Sequence, residues 1–518
     1  MNALKTAGLL LILLTAGCGR IASPGDLLHA PNLAGEEQSL YRAVQPFLPA
    51  GYQLTTPDQS DQGSAIRLAD LDGDGEKELI VSYKRPETDY EVNVLILSQT
   101  NGAWQKSALI TRSGINLDYL AIKPLLNRSS AQLLLGYDGG GTGLPKELYV
   151  YSLTGAKAEP ILHRSYEQIS TGELLGNGLS QIAIVPPSEN VENTRSRIEI
   201  LGEKNGEVTE IAERRTEGTI LSMKIDQASS TRIGLFAQVL GTTRSGYSML
   251  LAWEDGRLAN ILSLPKASYD SRALRQDLRL GPPDFNPNLA ATGQKWWIDY
   301  PANNRDVDDD GILEIAMPNP MPGSDDASGT PQLWSDSYYR WDGESRMRFV
   351  EDRFWQWGYD LRIPDRWQGK YRIELPDGNP ESISEVRFMY TPEADSDAEA
   401  NAGDDSAGSA SADNADPAPE AVLLTLRQLS SEEWNRLQPM LDSRQTQYVV
   451  LGDKNSMVAG HSSQITIALL PNAATRLSGE DAASYEALRL TASEVKRLAG
   501  LDEDSREEEE AFSHVEEH

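Results

Sequence analysis

Two short stretches of the chain concentrate oxygen ligands in the same order. One is Asp70-Leu71-Asp72-Gly73-Asp74-Gly75-Glu76-Lys77-Glu78, the other Asp306-Val307-Asp308-Asp309-Asp310-Gly311-Ile312-Leu313-Glu314. Both place carboxylates at positions 1, 3, 5 and 9, with glycine at position 6. A hard cation such as calcium takes roughly six to eight oxygens from a tight loop, and glycine permits the sharp turn. The candidate metal ligands are Asp70, Asp72, Asp74, Glu76 and Glu78 in the first stretch. In the second they are Asp306, Asp308, Asp310, Ile312 and Glu314, with Glu76 and Ile312 offering backbone carbonyls. A solvated acidic turn is the alternative, and a second copy of the same spacing weighs against it. The last acid falls at position 9, whereas an EF-hand closes on a glutamate at position 12. Four carboxylates this close fill a calcium shell rather than leave positions open for catalysis, so the metal reads as structural.

Other chemistry is sparse. The histidines are His29, His163, His461, His514 and His518, and none stands in a zinc-binding spacing. Gly460-His461-Ser462-Ser463-Gln464 lacks the final glycine of a nucleophile elbow. The run from Gly139 to Gly143 lacks the Lys-Ser/Thr of a phosphate loop and reads as a hairpin. The chain is therefore expected not to be an enzyme. Tryptophan is concentrated at Trp296, Trp297, Trp334, Trp341, Trp355, Trp357 and Trp367. Trp355 and Trp357 would share one face of a regular strand, as core or as a platform for sugars or peptides.

Each acidic stretch runs straight into a β-prone segment, Leu79-Ile80-Val81-Ser82-Tyr83 and Ile315-Ala316-Met317. Degenerate copies lie between them. Residues 173–181 keep the glycines and precede Ile182-Ala183-Ile184-Val185; residues 124–132 and 224–232 keep only the trailing apolar strand. About thirty residues after each comes a turn with glycine: Asn101-Gly102, Thr154-Gly155, Asn205-Gly206, Asp255-Gly256 and Asp342-Gly343. Asn-Gly and Asp-Gly between apolar runs are strong hairpin signals, because both residues reach positive φ. Five units follow, starting near 70, 124, 173, 224 and 306, each the size of a propeller blade. Residues 265–300 are an insertion or a diverged sixth blade.

A calcium loop feeding directly into a strand resembles the FG-GAP and VCBS-like repeats of integrin-α-type β-propellers. The resemblance rests on 70–78 and 306–314. It implies a mainly β fold with structural calcium in certain blades, and metal-free loops in the degenerate ones.

The N-terminus has a basic Lys5, the apolar run 9–14, small residues and Cys18, the single cysteine. These are the parts of a secretory signal, and the run is too short to span a bilayer. Leu14-Thr15-Ala16-Gly17-Cys18 resembles the lipobox of bacterial lipoproteins, which implies lipidation of Cys18 and attachment to the outer side of the cytoplasmic membrane. A formal net charge of −31 argues against nucleic acid as a partner.

The expected organisation is a leader (1–17), a tether (18–34), the propeller-like domain (35–356, opening with a short helix over 36–48), and a small α+β domain (357–500). Strands are expected in the last at 384–390, 421–426 and 448–452, with helices near 431–441 and 482–498. The phrase 361–371, Trp434 and Val450-Leu451-Gly452 resemble a domain recurring in uncharacterised lipoproteins of Gram-positive bacteria. Residues 392–419 interrupt that domain with a composition unable to bury a core, and 501–518 is an acidic tail. The whole reads as an envelope lipoprotein that binds or scaffolds a protein or glycan outside the cell. The rival readings are a hydrolase of envelope glycan and a stress or sporulation accessory factor.

Overall fold

The computed structural model describes residues 35–60, 64–85, 88–140, 144–155, 157–188, 196–216, 218–240, 246–262, 296–298, 304–325, 333–344, 347–376, 383–392, 421–454, 464–471, 477 and 479–501. Cys18 with its leader and tether, glycines 141–143, His461, residues 393–420 and the tail beyond 501 lie outside them. The chain is mainly β. Among the described residues five antiparallel meanders follow one another in sequence order, each with the strand topology of a propeller blade, and a small α+β domain comes after them. Among the described residues no helix is long and apolar enough to cross a membrane. The contacts divide the chain into two compact units, one running to Tyr166 together with 206–208, the other holding the remainder.

The first unit opens with the helix Gly35–Val44. Pro46 cannot supply a helical N–H, and the chain continues as the 3-10 turn Gln45–Phe47. The first sheet joins Ile66–Ala69, Glu78–Arg85, Thr88–Thr100 and Ala103–Ser113. The second joins Asn116–Lys123, Gln132–Asp138, Lys146–Thr154 and Lys157–Tyr166. The entering segment serves both sheets: Gln53–Leu54 pairs with the first and Gln59–Ser60, in parallel, with the second. Leu71, Ile80, Val94, Ile96, Leu133, Leu135 and Tyr151 form a continuous core in this unit. Burial of one such side chain is worth about 1.5–3 kcal/mol.

The third sheet, in the second unit but for 207–208, joins Gln168–Gly172, Gln181–Val185, Arg197–Lys204 and Glu207–Arg215. The fourth joins Thr219–Ser229, Arg232–Leu240, Gly246–Glu254 and Arg257–Asn260. Gly172 lets them approach, since a Cβ there would stand 2.5 Å from Ile225. The fourth unit departs from expectation. Residues 224–229 lie inside a strand, and the loop expected over 224–232 shrinks to a turn at Ser230 and Thr231. Trp296–Ile298 pairs with Gly246–Ser248 of the same sheet, so this described part of 265–300 extends the fourth sheet.

The fifth sheet joins Ile315–Pro320, Trp334–Trp341, Met347–Gln356 and Tyr359–Ile363. Its first strand is reduced to one bridge, Arg305 to Glu314, equivalent to the pair Ala69–Glu78 in the first sheet. Each of the five glycine turns precedes the Ala103, Lys157, Glu207, Arg257 or Met347 strand of its sheet. Asn101, Asn205 and Asp255 take φ of 53°, 58° and 49° there.

The α+β domain carries an antiparallel sheet in the order Tyr371–Glu374, Glu385–Tyr390, Val422–Ser430, Gln464–Leu469, Tyr448–Lys454. Met389 pairs with Val422, so the strands flanking the interrupting segment are direct neighbours. Helix Ser431–Ser443 starts on a capping box of Ser430 and Glu433. The single helix expected over 482–498 is two, Gly479–Leu488 and Ala492–Leu498. Thr491 and Glu494 form a second capping box that restarts the chain. The boundary expected at 356/357 also shifts. Tyr359–Ile363 is an outer strand of the fifth sheet, and Phe354, Leu361 and Ile363 share one core with Trp367, Phe388 and Leu424.

The tryptophans divide between core and surface. Trp341 and Trp367 are fully buried, and Trp367 Nε1 donates to the Leu488 carbonyl at 2.7 Å. Trp355 is 62% exposed, whereas Trp357 lies beyond the strand end at φ 53° and packs against the shared core. They do not share a strand face.

Candidate metal centre

In the first acidic loop the backbone turns twice through the left-handed region, at Gly73 (φ 83°) and Gly75 (φ 89°). A Cβ on Gly73 would also meet the Ser129 carbonyl at 2.7 Å, so only glycine fits that position. The turns direct backbone N–H groups inward. Asp70 accepts from Gly73 at 2.6 Å and from Gly75 at 3.0 Å, and Asp72 from Asp74 at 3.2 Å. Glu78 opens the following strand and is 2% exposed. One of its oxygens, Oε2, accepts from Leu71 N at 2.8 Å. Among the described residues Oε1 receives no donor.

Asp70, Asp72 and Glu78 each bring an oxygen to within 4.8 Å of the others, a set able to hold a metal ion. Asp74 and Glu76 are exposed and stand outside that set. Burial pushes the Glu78 carboxyl above the ordinary range; Leu71 N–H opposes this, while Asp72, Asp74 and Asp70 add to it. A buried carboxylate facing three others is costly alone and is relieved by a cation.

The second loop repeats the geometry. Asp309 (φ 57°) and Gly311 (φ 79°) occupy the two left-handed positions. Asp306 accepts from Asp310 N at 3.2 Å and Gly311 N at 2.7 Å, and Glu314 Oε2 accepts from Val307 N at 3.0 Å. Asp306, Asp308 and Glu314 again gather oxygens within 4.8 Å. Asp310 lies outside the set and accepts from Ile312 N at 3.0 Å; the Ile312 side chain is buried. The difference is Arg340, whose guanidinium lies 2.6 Å from Asp308, 2.6 Å from Asp310 and 2.7 Å from Glu314. Burial raises the Glu314 carboxyl to about 7, against the pull of Val307 N–H and Arg340.

Two degenerate loops explain what position 9 does. Gln132 accepts from Leu125 N at 2.7 Å, and Gln181 from Leu175 N at 3.0 Å. Both are buried, at 0% and 1% exposure. An amide thus closes these loops as the glutamates close theirs, without a buried charge. Glu173 takes the place of Asp70 and accepts from Gly178 N. The signal was a side chain of glutamate length at one recurring position. Arg340 had none, since only strand register brings it to the loop.

No protein-family model matches the chain, and no curated protein does. Among solved structures it is similar to the Dos1 propeller, at 12% identity and a TM-score of 0.27 over 62% of this chain and 65% of that one. It is also similar to the rhamnogalacturonan lyase PL11 of Bacillus licheniformis, at 9% identity and 0.27 over 58% and 68%. The exotype rhamnogalacturonan lyase YesX gives 13% and 0.27 over 66% and 71%. The chain spans less than two thirds of the Dos1 propeller chain. At these scores the likenesses carry no argument, and the fold rests on the sheets themselves.

Proposed function

We propose that this chain is a non-catalytic binding or scaffold protein of the cell envelope. In this reading Cys18 carries a lipid anchor, and calcium pins the sheet array at the loop of Asp70, Asp72 and Glu78. The observation that carries the calcium reading is the buried Glu78, with one oxygen receiving no donor among the described residues and negative neighbours around it. The donors are carboxylates only, the chemistry of a hard cation. The loop lies between the first two strands of its sheet, so an ion there ties those strands together. The anchor reading rests on the lipobox-like stretch ending at Cys18, and the outward localisation follows from it. The ligand would be a protein or glycan outside the cell.

Calcium is expected to bind with a dissociation constant on the order of 10⁻⁴–10⁻³ M, as in extracellular modules. An ion bound only by the folded state stabilises it by about 2.7 kcal/mol at a hundredfold excess over that constant. Thermal melting of the full chain with calcium and with chelator measures this. Asp72→Ala should abolish the shift, and identical wild-type curves in both conditions would remove the calcium reading. Cys18→Ser should move the protein from the membrane fraction into the medium. Retention of that variant in salt-washed membranes would remove the anchor.

A further inference from the structure

The register of the sheets shows where Arg340 comes from. In the fifth sheet Ile315 pairs with Tyr339, so Glu314 faces Arg340 one step further along. In the first sheet Leu79 pairs with Leu97, so Glu78 faces Ser98 in the same way. In the second, Leu133 pairs with Tyr151 and Gln132 faces Ser152. In the third, Ile182 pairs with Leu201 and Gln181 faces Gly202. The facing residue is therefore small in three sheets and a guanidinium in the fifth.

We infer that this facing residue decides whether an acidic loop takes a divalent cation: Ser98 leaves the first loop open, and Arg340 occupies the cation position of the second. The inference rests on the calcium reading of the first loop. Two of the three carboxylates that gather in the second loop, Asp308 and Glu314, are already held by Arg340. Its other terminal nitrogen holds Asp310. Glu314 has both oxygens committed, one to Val307 N–H and one to Arg340, whereas Glu78 commits only one. A divalent ion entering the second loop must displace a guanidinium from charge-assisted contacts, which are the stronger class of hydrogen bond. Arginine stays charged at any ordinary pH, so the positive charge is always there to balance the loop. The two loops then share a ligand spacing and differ in what balances it. One depends on calcium in the surroundings, while the other carries its own cation.

The test is calcium titration by isothermal calorimetry on the full chain stripped with chelator. Wild type should bind one ion per chain, and Asp72→Ala none. Arg340→Ser should gain a second site, and Ser98→Arg should lose the first. Two ions in wild type, or one retained in Asp72→Ala with Arg340 in place, would overturn the inference. If Arg340→Ser does not fold, the Asp72→Ala titration alone decides. If wild type binds no ion, the calcium reading of the first loop fails. Arg340→Ser then decides only whether Arg340 occupies the second loop, supporting that by gaining a site and refuting it by gaining none.

Discussion

At position 9 of the loops a single side chain does two jobs that its residue type alone does not separate. As a hydrogen-bond acceptor it closes the loop; as a charge it asks for a cation. Glu78 and Glu314 do both, and Gln132 and Gln181 do only the first. In 124–132 and 173–181 the closing bond therefore survives although position 9 carries no charge. Gln132→Ala should destabilise the protein by about 1–3 kcal/mol, the cost of leaving buried backbone donors unpaired. The loss should be the same with calcium and with chelator, which urea denaturation in both conditions measures. Gln132→Glu should instead cost stability by placing a charge at a fully buried position. The carboxylate spacing was legible because it is local in sequence. Arg340 was not, because a cation opposite a loop is a fact of register between strands far apart in the chain.

Elements were legible where local backbone chemistry decides them. Asn101-Gly102, Asn205-Gly206 and Asp255-Gly256 sit at positive φ between paired strands, as their composition requires. Over 482–498 two helices stand where one was expected, because Thr491 and Glu494 form a capping box that starts a new helix. Tyr359–Ile363 was expected within the α+β domain and stands in the fifth sheet for a different reason. Its residues serve two partners, pairing with Met347–Gln356 through the backbone and sending Leu361 and Ile363 into the core of the α+β domain. The strands Glu385–Tyr390 and Val422–Ser430 are already adjacent, so a short link is long enough to join them. Replacing 393–419 by a short Gly-Ser link should leave the melting temperature nearly unchanged, because closure entropy grows only slowly with loop length. A drop comparable to that of Trp367→Ala, a core truncation costing about 3–5 kcal/mol, would mean the segment contributes packing of its own.

On the scale of the whole molecule, the mainly β class and the five units were legible from repeated loops and turns. The division at Tyr166 was not, since strands Lys157–Tyr166 and Gln168–Gly172 leave only Glu167 between them, and no linker composition marks the place. That division sorts the metal chemistry. The loop of Asp70, Asp72 and Glu78 belongs to the first unit, and the loop balanced by Arg340 belongs to the second. A ligand raises the stability of the cooperative unit that binds it, and multi-unit proteins need not unfold in one step. Scanning calorimetry of the full chain should therefore resolve two transitions, of which calcium raises only one. Trp367→Ala should lower the other and leave the calcium-dependent one in place, since Trp367 packs within the second unit. Asp72→Ala should remove the calcium response without moving the second transition. A single transition shifted by calcium and by Trp367→Ala alike would show that the two units unfold together, and that an ion in the first loop stabilises the entire chain.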